Sequence, residues 1–169
     1  MTKHVFDIEE CRKFIRAQSP ETRIYFGSDS SRYKRNGVWY ADYAVAIAVH
    51  VNGRNGCRVF GEITTEKDFD TKKDRPARRL MREVELVASM FRLLINDVQD
   101  RHCEVHCDIN PDKRFGSSCV VDAALAYLRG TCHEANVIHT KNLAPAASFL
   151  ADRLGQILDE QRHDTRVTA

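Results

Sequence analysis

A chain of 169 residues fits one domain with a sizeable core. With 43% hydrophobic and 30% charged residues, its composition is that of an ordinary globular protein and excludes a disordered or fibrous class. The formal net charge of +2 excludes any argument for nucleic-acid binding from overall charge alone. The first ten residues contain no apolar leader and no run reaches transmembrane length, so a cytoplasmic location away from the membrane is expected.

One helix and three strands are predicted for the first half of the chain. They are an amphipathic helix over 8–18 that ends near Pro20, a strand over 23–27, a long apolar strand over 38–51, turn residues at Asn52-Gly53 or Asn55-Gly56, and a strand over 57–64. Three consecutive strands joined by hairpins predict an antiparallel half-sheet.

Strands alternate with helices in the second half. A charged loop over 65–75 leads into a long helix from Pro76 to about 97, which is followed by a strand over 103–109 and a turn over 110–115. Ser117 or Ser118 caps the next helix, which runs to about 127 with Gly130 near its end. A short strand over 135–139 and a last helix over about 145–160 complete the order. Alternation of this kind predicts parallel strands. We therefore expect a single α/β domain over 1–169, with a mixed five-stranded sheet flanked by helices and a frayed tail at 161–169.

Three acidic residues occupy unusual places in this pattern. Asp29 follows the short apolar run that begins at Ile24, and two serines come after it. Glu83 lies on the apolar side of the long helix, and Asp108 closes the fourth strand. Carboxylates are rare against a core unless a positive group pairs with them. A shared Mg²⁺ or Mn²⁺ ion is the natural candidate, because hard cations prefer oxygen ligands.

Local charge and exposed rings indicate where a polyanion would bind. A basic stretch at the entry to the long helix is suited to phosphates, although a solvated surface explains it equally well; its residues are Lys72, Lys73, Arg75, Arg78 and Arg79. Aromatic residues of the early strands are expected mostly in the core, with one exposed ring free to stack on a base: Tyr25, Phe26, Trp39, Tyr40 and Tyr43.

The order of these elements and acids resembles the ribonuclease H-like fold. Gly27-Ser-Asp29-Ser-Ser is similar to the family's first-strand motif, and Ala151-Asp152-Arg153-Leu154 to the last-helix motif of ribonuclease HI proteins. The resemblance implies four carboxylates that hold two Mg²⁺ or Mn²⁺ ions and carry catalysis: Asp29, Glu83, Asp108 and Asp152. It also implies an accessory role in product release for His139, on a mobile loop, or for Lys141.

A closer resemblance is to the YkuK-like branch of this superfamily, which comprises bacterial and viral proteins. It rests on three segments in order: Gly27-Ser-Asp29-Ser, Glu104-Val-His-Cys-Asp108-Ile, and Ala146-Ala-Ser148 followed by Ala151-Asp152-Arg153. The chain departs from the branch at Lys141-Asn142-Leu143, where the family carries a Lys-Pro-Asp-like sequence. The identity of the fourth carboxylate therefore stays open.

Two glutamates of the long helix compete for the metal site. Glu83 lies beside the apolar stripe that contains Leu80, Val84 and Val87, whereas Glu85 belongs to a polar stripe. Periodicity therefore favours Glu83. Resemblance to the helix motif of ribonuclease HI favours Glu85 instead.

Patterns typical of zinc binding are weak. The six cysteines include no Cys-x-x-Cys pair and are expected to be reduced thiols: Cys11, Cys57, Cys103, Cys107, Cys119 and Cys132. His102, Glu104 and His106 alternate along one strand and so share a face, but the sequence shows no third ligand for a zinc ion. A half-exposed polar sheet face is the expected role of these residues.

These observations favour a metal-dependent nuclease that hydrolyses phosphodiester bonds in RNA, an RNA–DNA hybrid or a structured nucleic acid. One alternative is a non-catalytic ribonuclease H-like module that binds nucleic acid or a protein partner. Another is a structural metal site that only stabilises the domain. Carboxylate types do not distinguish these alternatives, and the sequence sets neither the substrate nor the oligomeric state.

Overall fold

The computed structural model describes residues 7–70 and 76–140. Its elements in chain order are α1 (Ile8–Arg16), β1 (Arg23–Arg35), β2 (Val38–His50), β3 (Cys57–Lys67), α2 (Ala77–Val98), β4 (His102–Cys107), α3 (Val121–Thr131) and β5 (Val137–His139). Short 3-10 segments lie at Val51–Gly53 and Gly116–Val120. Within the described residues, no helix has the length and apolar character needed to cross a membrane.

The five strands form one mixed sheet in the order β3-β2-β1-β4-β5. β1, β2 and β3 pair antiparallel, while β4 joins β1 and β5 joins β4 in parallel. α2 connects β1–β3 to β4, and α3 connects β4 to β5, as parallel pairing requires. The predicted α/β class and its division into an antiparallel and a parallel half are confirmed.

β1 is longer than the predicted strand over 23–27. It continues to Arg35, and a two-residue turn, Asn36-Gly37, leads directly into β2. Both turn residues have positive φ, 50° at Asn36 and 82° at Gly37, as a type I′ hairpin turn requires. The polar half of β1 pairs only with β2, so it lacks the apolar pattern that would have marked it as a strand.

Other element ends also differ from the predicted ones. β3 extends to Lys67 because the long β2 pairs with it as far as Tyr40. β4 ends at Cys107, where its pairing with β1 ends. α1 ends at Arg16, before the predicted end at residue 18, and a 3-10 turn precedes α3. The predicted last helix and the tail at 161–169 lie outside the described residues.

The hydrophobic core lies between the sheet and α2. Alternate β1 residues face the helix, and Phe26 meets Phe91 edge to face with ring centroids 5.3 Å apart. α1 covers the far end of α2, where Arg12 forms an ion pair of 3.2 Å with buried Asp97. The packing holds α2 at a fixed rotation against β1, which sets the direction of its inward side chains.

Candidate functional site

Asp29 and Asp108 lie next to each other on neighbouring strands. The parallel register pairs Ser28 of β1 with Cys107 of β4, and the two aspartates are the next residues on their chains. Both are partly buried. Asp29 Oδ1 accepts a hydrogen bond of 2.8 Å from the Ser30 amide. The sheet therefore brings together two acids that are distant in sequence.

Glu83 completes a group of three acids. It is one turn before Val87 on the inward face of α2, and only 1% of the residue is exposed. Burial raises the pKa of Glu83 to about 8, against an opposing hydrogen bond from Ser30. The carboxylates of Asp29 and Asp108 raise this pKa further, so both are close enough to repel the charged form.

Polar groups from β1 and α2 position the Glu83 carboxyl. The hydroxyl of Ser30 donates to Glu83 Oε1, and Ser28 Oγ donates to the Glu83 carbonyl at 3.1 Å. Arg79, one turn earlier, lies 3.5 Å from Oε1 and also donates to the Ser30 carbonyl at 3.1 Å. Glu83 Oε2 is buried and has no hydrogen-bond partner among the described residues. One oxygen of this carboxyl is therefore held by Ser30 and Arg79, whereas the other makes no hydrogen bond to a described residue.

The first turn of α2 is fixed by an acid from the preceding loop. Pro76 precedes the helix without a side-chain cap, and Asp70 serves instead, accepting from the amides of Arg78 at 3.1 Å and Arg79 at 2.9 Å. Arg32 of β1 donates to the Asp70 carbonyl at 2.7 Å. This cap connects β1 to the helix start and so determines where Arg79 and Glu83 lie.

Glu85, the competing helix acid, lies in a surface ion-pair group. Its side chain is 44% exposed and lies 3.1 Å from Arg82, which also binds Glu66 at 2.7 Å. The structure therefore brings Glu83, and not Glu85, to the two strand aspartates.

The remaining predicted site residues divide into three groups. Arg78 is exposed, whereas Arg79 is turned inward to Glu83 with a side chain only 18% exposed. His139 lies on β5, not on a loop. The other predicted residues lie outside the described part of the chain: Lys72, Lys73, Arg75, Lys141 and Asp152.

A second polar cluster lies where β4 meets β5. Glu104 Oε2 is 2.9 Å from His106 Nε2 and 3.3 Å from His139 Nε2. Burial alone would raise the pKa of Glu104, but hydrogen bonds from His106 and His102 outweigh it and lower the pKa. His139 is the third member of this cluster, which the sequence did not reveal, because only the register between two distant strand segments brings it to Glu104 and His106.

A mixed sheet with one acid inside the central strand β1, one directly after β4 and one on the first long helix defines an α/β domain with a candidate metal centre. The family model described as ribonuclease H-like matches residues 7–156. The chain belongs to the ribonuclease H-like family. Searches among curated proteins and among solved structures gave no match.

Proposed function

We propose that this protein is a metal-dependent nuclease that hydrolyses phosphodiester bonds in RNA, an RNA–DNA hybrid or a structured nucleic acid. Its family makes it a ribonuclease H-like module related to nucleic acids. One observation carries the finer proposal: burial raises the pKa of Glu83, and the carboxylates of Asp29 and Asp108 raise it further, so both aspartates are within electrostatic reach of this buried acid. Burial and neighbouring carboxylates disfavour the charged form of such an acid, and a bound cation would stabilise that form; a perturbed pKa of this kind is therefore typical of functional sites.

The donor set suits hard divalent cations. All three groups are carboxylates, and the unsatisfied Oε2 of Glu83 provides a ligand atom that no described residue uses. Asp29, Glu83 and Asp108 would hold Mg²⁺ or Mn²⁺, and Asp152 is the proposed fourth ligand. Two such ions would supply an activated water and neutralise charge on the phosphoryl oxygens.

The chain's own residues prepare the site for an anionic substrate. Ser30 and Arg79 fix the rotamer of Glu83 through contacts with Oε1. Because this carboxyl is already ordered, ligand binding does not have to bear the entropic cost of ordering it. Arg79 also adds positive charge beside the acids, which reduces the repulsion between them and a phosphate. Lys141 remains the proposed accessory residue; His139, the other residue expected in that role, lies 3.3 Å from Glu104 in the second polar cluster instead.

The proposed nucleic-acid contact combines the basic stretch with the β1–β2 hairpin. At the hairpin tip Trp39 is 41% exposed, and the Arg32 guanidinium lies 4.2 Å from its ring centroid. Lys34 lies 5.8 Å from the same ring, and Arg35 is exposed beside the turn. Basic groups around an exposed ring suit a stacked base and its phosphates. Arg78 and the residues Lys72, Lys73 and Arg75 are proposed to extend this contact.

Two finer assignments accompany the proposal. The YkuK-like branch is proposed on the segment around Asp29, the segment ending at Asp108 and the later Ala151-Asp152-Arg153 segment. A cytoplasmic location is also proposed; it is compatible with the described residues, in which no helix is long and apolar enough to cross a membrane.

A non-catalytic nucleic-acid-binding module is the alternative that one contact favours. Arg79 lies 3.5 Å from Glu83, so a guanidinium supplies part of the positive charge that metal ions would otherwise provide. In that case the three acids would have no catalytic role, and the β1–β2 hairpin would bind the nucleic acid. A protein partner would become the better explanation only if no nucleic acid binds.

Cleavage of labelled nucleic acids decides between enzyme and binding module. Wild type with Mn²⁺ should cut at least one of RNA, hybrid or branched DNA and leave 5′-phosphate and 3′-hydroxyl ends. Asp29→Asn should lose that cleavage and keep binding, because affinity comes mainly from basic groups that neutralise phosphates. Asp100→Asn, at an exposed acid after α2, is the matched control and should cut normally. Binding without cleavage with either metal would replace the enzymatic proposal by the binding module.

A further inference from the structure

We infer that Glu104, His106 and His139 form a second metal site, which binds Zn²⁺ or a similar transition-metal ion. One ligand atom from each of the three residues lies within 4.8 Å of the other two. Nitrogen donors distinguish this cluster chemically from the three carboxylates at Asp29, Glu83 and Asp108. The two sites should therefore select different metals.

Strand pairing builds the cluster. His106 of β4 is directly opposite His139 of β5 in the parallel register. Glu104 precedes His106 by two residues on the same strand, so the two side chains share a face of the sheet. The imidazole rings of His106 and His139 meet edge to face with centroids 5.1 Å apart. All three ligands therefore come from regular strands and not from a loop.

The spacing of the ligand atoms suits a four-coordinate ion. Zinc–ligand bonds of about 2.0–2.1 Å in a tetrahedron place neighbouring ligand atoms roughly 3.3–3.5 Å apart. Glu104 Oε2 lies 2.9 Å from His106 Nε2 and 3.3 Å from His139 Nε2. Small side-chain movements would bring these ligand atoms to the separations that a tetrahedral zinc ion requires.

The cluster lies on the face of the sheet away from α2. Phe26 of β1 packs on Phe91 of the helix, so the alternate residue Tyr25 is on the other face. The Tyr25 ring meets His106 with centroids 5.8 Å apart, which places the cluster on that face as well. Glu83 approaches from the helix side. Metal binding at the cluster should therefore leave the Glu83 carboxyl in place.

Surrounding groups orient the ligands without closing the site. His102 Nε2 lies 2.8 Å from Glu104 Oε1, which fixes the carboxylate and leaves Oε2 directed to the other two histidines. Supports of this kind are typical of zinc centres. The His106 side chain is 4% exposed, whereas those of Glu104 and His139 are 15% and 23% exposed, so an ion can enter from solvent.

Two histidines and a glutamate specify both the metal and the character of the site. Neutral imidazoles suit zinc and its neighbours, whereas magnesium prefers oxygen ligands alone. Three protein ligands leave a fourth position for water or a substrate atom, as in catalytic zinc sites. The class of ligand expected there is a small oxygen donor, such as water, hydroxide or a phosphate oxygen.

Cobalt and zinc titrations test the site. The protein should be free of tag and metal and should carry Cys57→Ser and Cys119→Ser, because those two cysteines are exposed and bind soft metals. One Co²⁺ per chain should give visible absorption typical of four-coordinate nitrogen and oxygen ligands, and Zn²⁺ should displace it. His139→Asn and Glu104→Gln should each weaken zinc binding on the order of 100-fold, since even second-shell changes cost about 10–100-fold.

Three controls decide the assignment. His133→Asn, at an exposed histidine 3.4 Å from Glu134, should bind zinc as wild type does. Asp29→Asn should keep the cobalt spectrum, which separates this site from the carboxylate site. Melting curves in EDTA identify any variant that fails to fold, and the other ligand variant then carries the test. Equal zinc affinity in the wild type and the folded ligand variants would overturn the inference, as would the absence of cobalt absorption from the wild type.

Discussion

Glu83 is the residue at which the fold and the candidate site conflict most. A carboxyl placed inside a core destabilises the fold unless it is protonated, paired or bound to a cation. Ser30 and Arg79 compensate for burial only partly, because the pKa of Glu83 is still raised to about 8. A cation at the unsatisfied Oε2, as proposed above, would remove the remaining cost of this buried carboxyl.

The titration of Glu83 should be visible in the stability of the metal-free protein. Its pKa rises from 4.5 in the unfolded chain to about 8 in the fold, so the folded state holds an extra proton between these values. The stabilisation is complete below the unfolded pKa and is lost as pH rises through the folded pKa. In EDTA, the free energy of unfolding should fall by a few kcal/mol between about pH 5 and 8.

Urea unfolding at several pH values measures this slope. Glu83→Gln cannot ionise and should flatten most of the decrease. Glu85→Gln, a change of the same chemistry at a 44% exposed side chain two residues away, should keep it. A Glu83→Gln variant with the wild-type slope would show that another group titrates in this range.

At the scale of elements, the sequence predicted those parts that carry a repeating apolar pattern. The α2 stripe of Leu80, Val84 and Val87 gave both the helix and the inward direction of Glu83. The same reasoning ended β1 at Gly27, because its polar continuation lacks alternation and is supported by β2 alone. The Asn36-Gly37 pair held the missing signal, since it is a strong type I′ hairpin sequence.

The extended hairpin presents Trp39 and provides a test of nucleic-acid binding. Trp39→Ala removes an exposed ring and its contact with Arg32, 4.2 Å from the ring centroid. Stacking contributes about 1–3 kcal/mol per base, so Kd for single-stranded RNA should rise roughly 5- to 150-fold. Trp39→Phe keeps a ring and should bind within a few-fold of wild type. Fluorescence anisotropy with a labelled oligonucleotide measures both, and an unchanged Kd in Trp39→Ala would remove the hairpin from the proposed contact.

At the scale of the whole molecule, strand register decides which distant residues meet. The sequence placed Asp29 and Asp108 at strand ends and predicted a shared ligand for them; Asp108 does follow β4, but β1 continues past Asp29 to Arg35. The sequence could not supply the meeting of His106 with His139, because parallel pairing between separate segments has no local signal. The acids could therefore be named from local sequence patterns, whereas the cluster of Glu104, His106 and His139 could not, because it depends on the register between β4 and β5.

Metal should stabilise the entire domain if the three acids form a site. A cation that binds only the folded state stabilises it by mass action, about 2.7 kcal/mol at 100 times its Kd. For a domain of 169 residues, this corresponds to a rise in melting temperature of roughly 5–10 °C. Millimolar Mg²⁺ or Mn²⁺ should raise the wild-type melting temperature accordingly, and calorimetry or dye-monitored melting measures the change.

The dependence of that rise on Asp29 is the decisive comparison. Asp29→Asn removes one anionic ligand and part of the repulsion on Glu83, so the metal-free variant should melt higher than wild type and lose most of its response to metal. Asp100→Asn should respond as wild type does, and His139→Asn should keep the magnesium response because its site selects a different class of metal. An identical rise in wild type and Asp29→Asn would place the stabilising ion elsewhere and rule out the three-carboxylate site.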